Sequence, residues 1–258
     1  MRSISEAFVR KGRKALIGYV MAGYPSNEAT MKAVALLAES GCDIVELGIP
    51  FSDPLADGAT IQNAGHRAIL NGVTPKMCLD MAGELGKIVD IPLVLMTYLN
   101  PVMSFGIAEF CAVCAHSSVS GLIIPDLPPD EASKMDAAAF NNGIDMVYLV
   151  PPTVTPERAE LIARKSQGFI YMVSVTGVTG TRTALPRHLD DSIAMLRGFT
   201  DKPLCVGFGI STPAQARAAA EKADGVIIGS KIIQLMEEDP SLAALRDFVV
   251  EVRKSLDD

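Results

Sequence analysis

Eight short apolar runs alternate with helix-like segments along the chain, and that alternation constrains the fold more than any other feature. The runs are Leu16–Met21, Asp43–Gly48, Pro92–Tyr98, Gly121–Pro125, Asp145–Val150, Phe169–Ser174, Pro203–Gly207 and Gly225–Gly229. Several are apolar at consecutive positions and flanked by Gly, Pro or Asp, as strands buried on both faces of a parallel sheet are. Between them, Asn27–Ser40 carries Met31, Val34, Ala35 and Ala38 at helical spacing, with Ser26 as N-cap. Pro156–Lys165 follows Thr155 in the same way, and Thr212–Lys222 and Ile107–His116 also read as helices. Eight strand–helix units in 258 residues predict an α/β fold, a (β/α)8 TIM barrel of eight parallel strands with extra helical segments. A doubly wound open sheet is the alternative, usually with fewer strands. No linker or low-complexity stretch divides the chain, so residues 1–258 are read as a single TIM-barrel domain.

Composition narrows the function classes. The net charge is −7, from 23 basic and 30 acidic side chains, which disfavours a nucleic-acid or anionic-membrane partner. No stretch approaches the roughly 18 apolar residues that span a bilayer, and the basic cluster at Arg10, Lys11, Arg13 and Lys14 reads as a solvated helix end. Five cysteines, an odd number, indicate a reducing compartment, hence a cytoplasmic protein. Cys111 and Cys114 form a lone C-x-x-C inside a helical pattern and read as packing, not as a metal or redox site. His66, His116 and His188 lack metal-ligand spacing, so no metal is expected.

Most strand-to-strand units run roughly 22–28 residues and leave only short loops. The units after the second and sixth strands are longer. In a barrel the loops after the strands build the active site, so the extra length falls where chemistry is expected. Glu46 lies near the end of the second strand, where a carboxylate is costly unless paired, hydrated or used. Facing the interior, its pKa would rise toward neutrality and suit proton transfer. A merely structural carboxylate, bonded to a backbone group or a tyrosine, is the competing reading. Asp53 and Asp57 follow in a loop stiffened by Pro50 and Pro54. Loop aspartates are often turn formers, but a strand-end Glu with a loop Asp can divide acid and base roles.

The second constellation is Gly207–Ser211 after the seventh strand together with Gly229 and Ser230 after the eighth. Those two loops commonly form a barrel's phosphate site, with glycines exposing amides and a helix N-terminus facing the anion. The glycine- and threonine-rich segment 175–183, after the sixth strand, has the composition of a mobile lid and includes Arg182. Tyr98 and Tyr171 lie on strands and can bond a carboxylate or pack in the core.

ELGIPFSDPLADGATIQ at Glu46–Gln62 resembles the signature of the tryptophan synthase α chain family. TGVTGTR at Thr176–Arg182, GFGIS at Gly207–Ser211 and the Gly229-Ser230 pair continue the resemblance in order and separation. It implies a lyase that cleaves indole-3-glycerol phosphate to indole and glyceraldehyde 3-phosphate by a retro-aldol reaction in L-tryptophan biosynthesis. No cofactor is implied in this chain. Pyridoxal phosphate is expected only in the partner, the β chain, within an αββα heterotetramer. By resemblance Glu46 is the general acid and base, and Asp57 stabilises the indole N–H as charge develops. Tyr171 and Thr179 support them, Gly180, Gly209, Gly229 and Ser230 hold phosphate, and Tyr19 and Phe208 wall the indole pocket. Pro50, Asp53 and Pro128 face the β chain. Val175 and Thr176 depart from some relatives' lids. Another phosphate-binding barrel enzyme, such as a sugar-phosphate isomerase, explains the glycine loops but not Glu46 and Asp57. A catalytically silent regulatory partner would not need both carboxylates.

Overall fold

The computed structural model describes residues 2–9, 13–173, 187–207 and 209–258. Nine strands run parallel in one sheet: β1 (Ala15–Met21), β2 (Ile44–Gly48), β3 (Leu93–Met96), β4 (Val119–Ile123), β5 (Asp145–Val147), β6 (Leu149–Val150), β7 (Ile170–Val173), β8 (Leu204–Gly207) and β9 (Gly225–Ile228). Their order is β5-β4-β3-β2-β1-β9-β8-β7-β6. The two ends are one stretch of chain, broken only at Tyr148, so the ring closes through the backbone. The expected fifth strand, Asp145–Val150, is thus divided. Its first half pairs with β4 and its second with β7, because strands tilted around a barrel meet their two neighbours at staggered heights.

Eleven α-helices are described. Capping fixes several starts: the side chains of Ser26, Thr74, Thr155 and Thr212 each accept an amide of the first turn. The extra length after the second strand is a helix pair, α2 (Ala59–Leu70) and α3 (Pro75–Ile88). The expected strand Pro92–Tyr98 stops at Met96, and Tyr98 is the N-cap of α4 (Leu99–Phe105). The Asp126 carboxylate accepts the Leu99 amide there, which favours helix over continued strand. Helix α5 (Ile107–His116) holds Cys111 and Cys114 fully buried. Among the described residues no single helix is long and apolar enough to cross a membrane, and α4 and α5 are bent by 93° about Gly106.

One apolar core fills the ring and the space under the helices. Ile4, in a 3-10 turn at Ile4–Phe8, plugs the N-terminal mouth and would touch a β-carbon at Gly121 at 2.6 Å. Burying that side chain contributes about 1.5–3 kcal/mol. Outside the ring, Asp43 accepts the Leu16 amide and the Arg253 guanidinium, which clasps α11 (Ala243–Asp257) to β1 and β2.

Candidate active site

Strand alternation aims Glu46 inward. Gly18, paired with Val45, faces the helices, since a β-carbon there would stand 3.2 Å from Leu37 of α1 (Asn27–Glu39). Tyr19 and Glu46, the next register pair, therefore project into the barrel, with Val94 of β3 on the other side of Glu46. Glu46 is 0% exposed, and neither carboxyl oxygen has a hydrogen-bond partner among the described residues. Burial alone pushes its pKa up to about 8. The group is mostly a neutral acid at pH 7, poised to give a proton and take one back.

Two tyrosines flank it, each lying over a glycine of the adjacent strand. A β-carbon on Gly48 would stand 2.1 Å from the Tyr19 hydroxyl, and one on Gly207 would stand 2.4 Å from that of Tyr171. Both separations are impossible for real atoms, so only glycine admits either ring. The two arrangements are alike: Tyr19 pairs with Glu46 and Tyr171 with Cys205, and each glycine lies two residues beyond that partner. Both phenols are held well above their usual pKa, chiefly by burial, and remain neutral.

Asp57 reaches the same mouth from the loop between β2 and α2. Burial raises its pKa to about 6, against the lowering effect of a hydrogen bond from Tyr98. The Tyr98 hydroxyl also accepts the Ala56 amide at 3.0 Å, and its ring lies 5.3 Å from that of Phe51. Sequence reasoning left Tyr98 between core packing and carboxylate bonding. Its position just past β3, the strand beside β2, is the signal that it could reach the β2 loop. The two carboxyl groups thus differ as acid and base roles require, one fully buried and neutral, the other half-buried and largely ionised at pH 7.

Strands β8 and β9 are neighbours, so the loops that follow them open side by side. Gly209 has φ +84°, the left-handed region that favours glycine, and Ser211 donates through its amide and hydroxyl to Gln215. Gly229 leads into α10 (Ser230–Glu238), whose first residue, Ser230, is exposed. Its buried Ile232, Ile233, Leu235 and Met236 fix that helix against the barrel, and no described side chain caps its first turn. Thr179, Gly180 and Phe208, with Val175, Thr176 and Arg182, lie outside the described residues.

Of the residues expected at the partner face, Asp53 is exposed and Pro128 half-buried. Pro50 is buried, 4.0 Å from where a β-carbon on Gly65 of α2 would stand. Among the described residues no group of three or more His, Cys, Asp or Glu side chains is arranged to hold a metal.

The family model for the tryptophan synthase alpha chain matches residues 6–255. The chain belongs to the tryptophan synthase α chain family. It is 52% identical to the tryptophan synthase alpha chain of Dehalococcoides mccartyi, covering 100% of both chains. With that of a Picosynechococcus species it shares 45% over 99% of this chain and 100% of the relative. A structure of Mycobacterium tuberculosis tryptophan synthase superposes with TM-score 0.93 at 37% identity over 100% of both chains. The subunit alpha of Legionella pneumophila does so at 0.89 and 33%, over 100% of this chain and 99% of that one. The family assignment carries the TIM-barrel fold and the activity: a lyase that cleaves indole-3-glycerol phosphate in tryptophan biosynthesis. The family name also implies a β-chain partner.

Proposed function

We propose that Glu46 and Asp57 carry out the cleavage, with the residues around them in the roles the family resemblance implies. The observation that supports this best is the contrast between a fully buried neutral carboxyl and a half-buried ionised one at the same barrel mouth. Glu46 donates its proton to C3 of the indole ring. Positive charge then develops at the ring nitrogen, where the Asp57 carboxylate accepts the N–H hydrogen bond. The Glu46 carboxylate next removes the proton from the hydroxyl on the glycerol carbon attached to C3. That carbon becomes the aldehyde of glyceraldehyde 3-phosphate, the C–C bond breaks, and its electrons restore the indole ring. Glu46 ends protonated, as it began.

Tyr171 orients Glu46, and Thr179 engages Asp57 from the lid. Tyr19 and Phe208 wall the indole pocket. Gly180, Gly209, Gly229 and Ser230 bind phosphate through amides and a hydroxyl, which an acidic chain can supply without a cationic face. Pro50 and Asp53, on the loop after β2, and Pro128, on the loop after β4, face the β chain in an αββα heterotetramer. Pyridoxal phosphate belongs to that partner, and the chemistry above uses only side chains of this chain. The chain acts as one domain, in keeping with its one continuous core. Five buried free thiols favour the reducing cytoplasm.

The test supplies indole-3-glycerol phosphate and measures indole, with and without a β chain. Glu46→Gln and Asp57→Asn should each lower turnover at least about 100-fold, the scale of a lost general acid or base. Near-wild-type rates in both variants would overturn these roles.

A further inference from the structure

Among the described residues no group hydrogen-bonds to Glu46 in the resting site, so its anion needs a donor. The described groups that feel the charge of Glu46 are Tyr19 from β1, Tyr171 from β7 and Cys205 from β8, while Asp57, from the loop beyond β2 and hydrogen-bonded by Tyr98, bears on the same two tyrosines. Val94, its register neighbour on β3, is apolar. Tyr98 is already engaged with Asp57 and the Ala56 amide. Of the polar groups, Tyr19 alone is in lateral register with Glu46. Its ring leans along the strand direction until the hydroxyl lies over Gly48, two residues beyond Glu46 on the same face. The ring therefore passes beside the Glu46 side chain. The charges that bear most on its hydroxyl are those of Asp57 and Glu46.

A phenylalanine at position 19 would build the same apolar wall. What the hydroxyl adds is a donor between two carboxyl groups, at a place where any residue but glycine at 48 would displace it. We propose that Tyr19 is a positioning residue, whose hydroxyl donates to the Glu46 carboxylate once that group has given its proton to the substrate. The second proton transfer then starts from an anion held by Tyr19 as well as Tyr171, where an unpartnered buried carboxylate would be costly. The proposal rests on Glu46 being the acid and base.

The experiment uses the complex with the β chain, with 13C-labelled glutamate carboxyls and the Glu46 resonance assigned by its loss in Glu46→Gln. In Tyr19→Phe the Glu46 titration should move up by about one pH unit, the size of one lost charge-assisted hydrogen bond. The limb of the kcat profile governed by that group should move with it, and kcat should fall more than KM rises. Gly48→Ala keeps the hydroxyl but displaces the ring, and should shift the titration in the same direction. An unmoved Glu46 titration in Tyr19→Phe overturns the proposal and leaves Tyr19 as a wall alone. Failure of the underlying reading is distinct: it appears as wild-type indole release by Glu46→Gln, whereas the resonance shift does not depend on turnover.

Discussion

The Tyr98 hydroxyl is shared: it accepts the Ala56 amide at 3.0 Å and donates to the neighbouring Asp57 carboxylate. One phenol beyond β3 therefore holds both the backbone and a side chain of the loop after β2. Tyr98→Phe removes both bonds. The pKa of Asp57 should rise above about 6, because the lost bond lowers it. Ionised Asp57 would then persist only at higher pH, and the acid limb of kcat/KM should move upward. The rate at pH 7 should fall about 10-fold, the scale of a hydrogen bond to a charged group. A pH–rate profile checks both.

Glu46 makes stability fall with pH. Its pKa in the folded chain is about 8, against an ordinary value of 4.5. Between those values the folded state holds a proton that the unfolded state has released, so folding weakens as pH rises through that window. The contribution is fully present below the unfolded value and is lost once pH passes about 8. Glu46→Gln has no proton to lose. Its melting temperature should exceed that of the wild type above pH 8, while indole release collapses. Calorimetry at pH 6 and pH 9 tests the crossover.

Gly207→Ala would put a methyl group 2.4 Å from the Tyr171 hydroxyl. The ring has to move, at a cost of about 1–3 kcal/mol in stability. Turnover should fall with it, since the displaced phenol flanks Glu46. Urea unfolding and indole release, measured together, would separate this from simple misfolding: a stable variant with wild-type turnover would contradict it.

Arg253→Met removes the guanidinium 3.1 Å from buried Asp43. The Leu16 amide at 2.9 Å and Arg13 at 3.2 Å remain as partners. The loss should therefore be about 2–4 kcal/mol, somewhat below the range for leaving a buried charge alone. Denaturant midpoints would report it, with kcat nearly unchanged because the clasp lies at the far end of β1 and β2.

The alternation of apolar runs and capped helices was enough to read the barrel, because parallel strands buried on both faces carry that pattern in their composition. Ser26, Thr155 and Thr212 marked helix starts by chemistry local to each turn. Glu46 was legible as a carboxylate in an apolar run, and Asp57 by its place in a stiffened loop. The division of the fifth strand was not legible, because it depends on the stagger between β4 and β7 and on nothing local to Asp145–Val150. Tyr98 was ambiguous for a similar reason, since its partners lie about 40 residues earlier in sequence and meet it only through strand order. The burial of Pro50 depends on α2 folding back beside the loop, which a loop sequence does not reveal.

The Asp43–Arg253 clasp also orders events in time. The two residues are 210 positions apart, and β1 must also wait for β9 before its second edge is paired. At ribosomal speeds, 210 residues take roughly 10–40 s to emerge. For that interval a nascent half-barrel presents an open apolar edge at β1 and a buried-type carboxylate that has Arg13 beside it but not Arg253. Chaperone demand during translation should therefore centre on the first strands, whose partners are made last.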